Sequence, residues 1–117
     1  MNLENQTIEK TTLSQLIHNE NFNRKVIPFL KKDYFKERSE QILFEEINDF
    51  VEKYSNPPTK EALEIEIDNR KDLSDTEHKQ TVELLKTLQH NDVDFKWLTD
   101  SVEKFCKDRA VYLSLIH

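Results

Sequence analysis

A chain of 117 residues, 36% hydrophobic and 34% charged, has the composition of one globular domain, long enough to bury roughly two thirds of its unfolded surface. It contains no glycine and only three prolines. That excludes the phosphate-cradling loops and dinucleotide turns, which need φ > 0 positions and close backbone approach, and it favours helices over a hairpin-rich sheet. The net charge of −6 sets the domain as a whole against nucleic acid as its main partner.

Six helical segments are expected in an all-α bundle, with residues 1–12 a flexible N-terminal segment and residues 13–117 the helical domain. The first helix starts near Thr7 or Thr12 and carries Leu13, Leu16 and Ile17 on one face; Thr12 and Gln15 have the form of a capping box. Asn19, Asn21 and Asn23 mark a turn and a new start, and a short helix runs to Val26 and Ile27, where Pro28 ends or kinks it. Phe29, Leu30, Tyr34 and Phe35 form an aromatic-rich connection expected to plug the core. A third helix spans about Arg38 to Tyr54, with Leu43, Ile47, Phe50 and Tyr54 on one stripe of 3.6-residue period.

Asn56, Pro57 and Pro58 stop that helix, and Thr59 is a good N-cap for a fourth holding Ala62, Leu63 and Ile67. Ser74 and Glu77 make a capping box for a fifth, with Val82, Leu85 and Leu88 on one face. Asn91, Asp92 and Asp94 separate it from the last, which begins near Phe95 and carries Leu98, Val102, Phe105 and Arg109 on one stripe. The expected core is Leu16, Ile17, Leu43, Ile47, Phe50, Leu63, Leu85, Leu98, Val102 and Phe105.

The last helix changes character at its end. Ala110, Val111, Tyr112, Leu113, Leu115 and Ile116 are apolar nearly all round, as suits a helix clasped on two sides. The chain reaches His117 with no capping residue, which reads as a fragment cut within a helix. Val111, Tyr112, Leu115 and Ile116 are therefore the expected self-association surface, with Tyr112 as anchor.

The residues for catalysis are lacking, and catalytic, cofactor and metal sites are all expected to be absent. Four histidines lie far apart, with no two at i, i+4 and no cysteine pair for zinc. Glu45 and Glu46, or Glu64 and Glu66, read as solvated helix faces rather than acid–base pairs. The lone Cys106 permits no internal disulfide and reads as a packing residue in a reducing cytoplasm. Trp97, Phe44, Phe50 and Tyr54 read as core rather than a base-stacking platform. No secretory signal or membrane span is visible. From Arg24 to Arg38 six basic residues stand against Asp33 and Glu37. Arg24, Lys25, Lys31 and Lys32 are the candidates for nucleic-acid contact, although Glu40 to Glu52 adds five acids and no base.

Three stretches in order carry a family resemblance: Leu13 to Phe35 (LSQLIHNENFNRKVIPFLKKDYF), Phe44 to Leu63 (FEEINDFVEKYSNPPTKEAL) and Trp97 to Ala110 (WLTDSVEKFCKDRA). Together they resemble the N-terminal domain of DnaB-type replicative helicases, in the phage, T-even-like branch. The resemblance implies a collar domain that forms dimers within a hexameric parent and meets primase or a helicase loader. It places ATP, Mg and DNA with a RecA-like domain that this chain lacks, so that no cofactor is expected here. It makes the last helix the first arm of a truncated helical hairpin, in a host-cell cytoplasmic protein. The alternatives are a small helical regulatory DNA-binding domain and an unrelated helical adaptor.

Overall fold

The computed structural model describes residues 7–115. They form six α-helices: α1 (Ile8–His18), α2 (Glu20–Val26), α3 (Arg38–Tyr54), α4 (Lys60–Asn69), α5 (Asp75–Thr87) and α6 (Phe95–Leu115). Two 3-10 turns, Ile27–Phe29 and Lys32–Tyr34, bridge α2 to α3, and the described residues contain no strand. The all-α expectation holds.

Side-chain caps decide where most helices begin. Asn19 accepts from the Phe22 N–H at 3.0 Å, Thr59 from the Ala62 N–H at 3.1 Å, and Asp94 from the Trp97 N–H at 2.8 Å. Ser74 and Glu77 close the expected reciprocal box, at 3.1 and 2.9 Å. The start of α1 is the first of the two expected, and it corrects the Thr12–Gln15 box. Its cap is Thr7, whose Oγ1 accepts from the Lys10 N–H at 3.1 Å. Thr12 lies inside the helix and donates to the Ile8 carbonyl at 2.7 Å, so residues 8–12 belong to α1 and not to a flexible segment. A buried Thr12 hydroxyl is satisfied by the carbonyl one turn back and has no free N–H to cap. At the other end of α3, Ser55 adopts φ 59°, ψ 24°, the left-handed position that glycine would fill at a helix end.

α3 is the hub of one half, packed against α1, α4 and α5, while α6 lies on α1, α2 and the second 3-10 turn. One continuous core joins the two halves. Leu13, Leu16, Phe22, Leu43, Ile47, Leu63, Ile67 and Leu98 are fully enclosed in it. Burying each such side chain stabilises the fold by about 1.5–3 kcal/mol. Of the second connection, Leu30, Tyr34 and Phe35 plug the core as expected, with Phe35 stacked on Phe44 at 5.3 Å.

Four aromatic residues, Phe29, Phe50, Tyr54 and Trp97, depart from the expected core. Phe29 is 69% exposed, because Pro28 tightens residues 27–29 into a 3-10 turn that sends Leu30 inward and Phe29 out. Phe50 is only half-buried and leans on the exposed Tyr54 at 4.6 Å, where the end of α3 overhangs its neighbours. Trp97 is 53% exposed on the first turn of α6, beside a core-facing Leu98.

Candidate functional site

α6 is seated by its stripe and then leaves the globule. Leu98, Val102 and Phe105 are buried, and Phe105 meets Tyr34 edge-on at 6.4 Å. The fourth stripe position is polar. Arg109 Nε donates to the Tyr34 carbonyl at 2.9 Å, tying α6 to the second 3-10 turn. The same guanidinium lies 4.9 Å from the centre of the Tyr112 ring, a cation–π contact that fixes the ring's face. One turn further, Leu113 still packs against the core.

Beyond that tie the described apolar residues other than Leu113 are exposed. Val111 is 59% exposed, Tyr112 50% and Leu115 77%. Leu115 stands one helical turn from both Val111 (i+4) and Tyr112 (i+3), so the three form a contiguous apolar strip. Ile116, expected to join them, lies outside the described residues. On the approach to the strip, α6 is polar and self-neutralised: Lys104 pairs with Asp108 at 2.8 Å and Lys107 with Glu103 at 2.9 Å. An apolar end on a helix with neutral flanks suits contact with protein, not with phosphate.

A cavity of about 510 Å³ runs between α6 and the α2 connection, with Val26, Phe29, Val102, Cys106 and Ala110 among its walls. Burial raises the Cys106 thiol's pKa above its ordinary value, so the residue is a packing thiol rather than a thiolate nucleophile.

Three of the four candidate nucleic-acid contacts are engaged within the chain. Arg24 is paired with Glu20, Lys32 with Glu45 at 3.7 Å, and Lys25 lies 5.7 Å from the Phe95 ring centre; Lys31 is exposed. The described residues hold no group of three side chains suited to a metal ion, and no helix among them is long and apolar enough to cross a membrane.

Glu45 and Glu46 overturn the reading of a solvated face. Both reach Arg70, at 3.5 and 3.3 Å, across the start of the α4–α5 connection. Arg70 also grips Asp72 through two bonds of 3.0 and 2.6 Å. That fork holds the Asp72 carboxyl at about 2, and chiefly the same contact keeps the guanidinium charged. Burial raises the Glu46 pKa, and Arg70 opposes the rise. The group fastens the α4–α5 hairpin to α3. No local sequence signal reveals it, because its members lie 24 residues apart.

The comparisons with known proteins agree with the resemblance read from the sequence. The family description "DnaB-like helicase N terminal domain" matches residues 1–104. A DnaB-like replicative helicase of Enterobacteria phage T4 is 28% identical over 100 residues, which cover 86% of this chain and 21% of that relative. The chain thus spans about a fifth of the relative's length, and the exposed strip of α6 lies beyond the family match. The match sets aside an unrelated adaptor. The chain belongs to the DnaB-like helicase N-terminal domain family.

Proposed function

From that membership we propose that this chain is the collar domain of a hexameric replicative helicase. It supports ring assembly by pairing with a second copy and offers a face to primase or a loader. Catalysis belongs to a separate RecA-like domain of the parent protein, which would hold ATP and Mg and engage DNA in the host cytoplasm. The observation that carries the reading is the strip Val111, Tyr112 and Leu115, uncovered at the end of a helix whose stripe residues Leu98, Val102 and Phe105 are buried. A patch that meets its own copy about a two-fold axis is the commonest way for such a strip to be covered. Arg109 holds the Tyr112 ring in place beforehand, which lowers the ordering cost of the contact.

Sedimentation equilibrium of the chain and of the double variant Tyr112→Asp, Leu115→Asp tests this. The double variant should keep its far-UV circular dichroism and move from dimer to monomer. Unfolding of the variant would make the strip core, and unchanged association would place the contact elsewhere. The primase arm is tested separately, by calorimetric titration of primase into the chain. The purified chain should show no DNA-stimulated nucleotide hydrolysis, since a glycine-free sequence has no Walker loop.

A further inference from the structure

The segment between α5 and α6 is fastened to α1 at three neighbouring points. Ser14 Oγ donates to the Gln89 carbonyl, and Gln15 Nε2 donates to the Asn91 carbonyl at 2.8 Å. Between these bonds His90 meets His18, the last residue of α1, with ring centres 5.5 Å apart and planes at 66°. The ring of His18 has its Nε2 buried and without a hydrogen-bond partner among the described residues. The charges around the pair come from several elements. Asp92, on the same segment, lies 3.2 Å from His90 Nε2. Lys60, at the start of α4, faces His18 with a positive charge. Glu20, the first residue of α2, is taken up by Arg24.

We propose that His18 and His90 form a proton-sensitive latch that holds the α5–α6 segment against α1, closed while His18 is neutral and released when His18 takes up a proton. The chemistry is one of missing compensation. Asp92 is placed to accept from a protonated His90, whereas a proton on His18 Nε2 finds no acceptor. It would also stand beside His90 and the Lys60 ammonium. Burial first, then His90 and Lys60, hold the His18 pKa below its ordinary value in the closed state. A group with a depressed pKa binds fewer protons closed than open. The closed latch is therefore fully stable above the ordinary histidine pKa of about 6.5 and weakens as pH falls below it. Leu88 and Leu98 are buried on either side, so release is confined to the residues between them. Those residues include Asp94, which caps α6.

The test is ¹⁵N relaxation of the whole chain at pH 7.5 and 5.5, with the histidine rings titrated in the same samples. Residues 89–93 should pass from a rigid order parameter of about 0.85 to below about 0.6, while α3 stays rigid. His18→Gln should abolish the difference between the two pH values. His90→Gln, at an exposed position, removes the neighbouring ring but leaves His18 with its buried Nε2. It should keep the response and move its midpoint to higher pH, a readout that stands even where the first variant folds poorly. An unchanged segment at pH 5.5, an equal loosening of α3, a pH response that survives His18→Gln, or a midpoint unmoved by His90→Gln would each overturn the latch.

Discussion

α3 and α6 are the two longest helices of the molecule, and they relate to the core in opposite ways. α3 is enclosed from its second turn by α1, α4 and α5, and only its last turn, with Phe50 and Tyr54, overhangs. There the two aromatic rings cover each other, while at the middle of α3 Glu45 and Glu46 meet Arg70 and bind the neighbouring hairpin. α6 is buried along the stripe from Leu98 to Phe105, is held once more by Arg109 and Leu113, and presents an apolar strip on its other side to solvent. Similar apolar residues therefore stabilise the fold in one helix and remain available for a partner in the other. The deciding factor is which elements of the same chain reach that far.

The largest expected effect sharpens this contrast. Ile47→Ala removes a fully buried side chain from α3 and should cost about 3 kcal/mol in urea unfolding of the isolated chain. Val111→Ala, made on α6, should change stability by less than about 0.5 kcal/mol and weaken self-association instead. If Val111→Ala destabilises the monomer as strongly as Ile47→Ala, α6 is no more open than α3 and the contrast fails.

A smaller effect probes the first turn of α3, which hides a carboxylate. Glu40 is buried and accepts from the Glu37 N–H at 3.3 Å. Burial raises its pKa from the ordinary value, and the Glu37 bond partly offsets the rise. A folded pKa above the unfolded one means that Glu40 contributes stability at low pH, and that this is lost as pH rises through its raised value. Glu40→Gln keeps an oxygen for the Glu37 N–H and removes the buried charge. It should stabilise the chain at pH 7 by about 0.5–1 kcal/mol and flatten that part of the pH profile, as read by thermal unfolding from pH 4 to 7. A loss of stability at pH 7 would show that the negative charge is itself stabilising at the start of α3.

The smallest effect lies at the other end of α3. Ser55 holds a left-handed conformation without glycine's freedom. Ser55→Gly relieves that strain but adds entropy to the unfolded chain, leaving a net gain of about 0.5 kcal/mol. Differential denaturant unfolding resolves a change of this size if the slopes agree.

Much of the fold was legible because its signals are local. The α3 stripe, the Thr59 cap, the Ser74–Glu77 box and the break before Phe95 each lie within one turn or one helical period. The family resemblance was legible because three such segments occur in order. The errors share a different cause. Thr12 looks like a cap until Thr7 is seen to start the helix five residues earlier. Phe22 and Ile42 are fully buried, yet neither stands on a stripe that periodicity alone singles out. Phe29, Phe50, Tyr54 and Trp97 are large aromatic residues that hydrophobicity places inside, and local geometry or overhang places outside. Glu45 and Glu46 read as a wet face because Arg70 is distant in sequence.

By itself, then, the sequence determined the class of the fold, the helix limits set by caps and prolines, and the absence of a glycine loop for phosphate. These depend on backbone conformation and short-range hydrogen bonds, which a few neighbouring residues dictate. Tertiary structure alone decided which apolar surfaces are covered, which charges meet at Arg70, and that His18 and His90 face each other across 72 positions of sequence. Those outcomes depend on how far each helix extends past its neighbours, a length in space that no local pattern encodes.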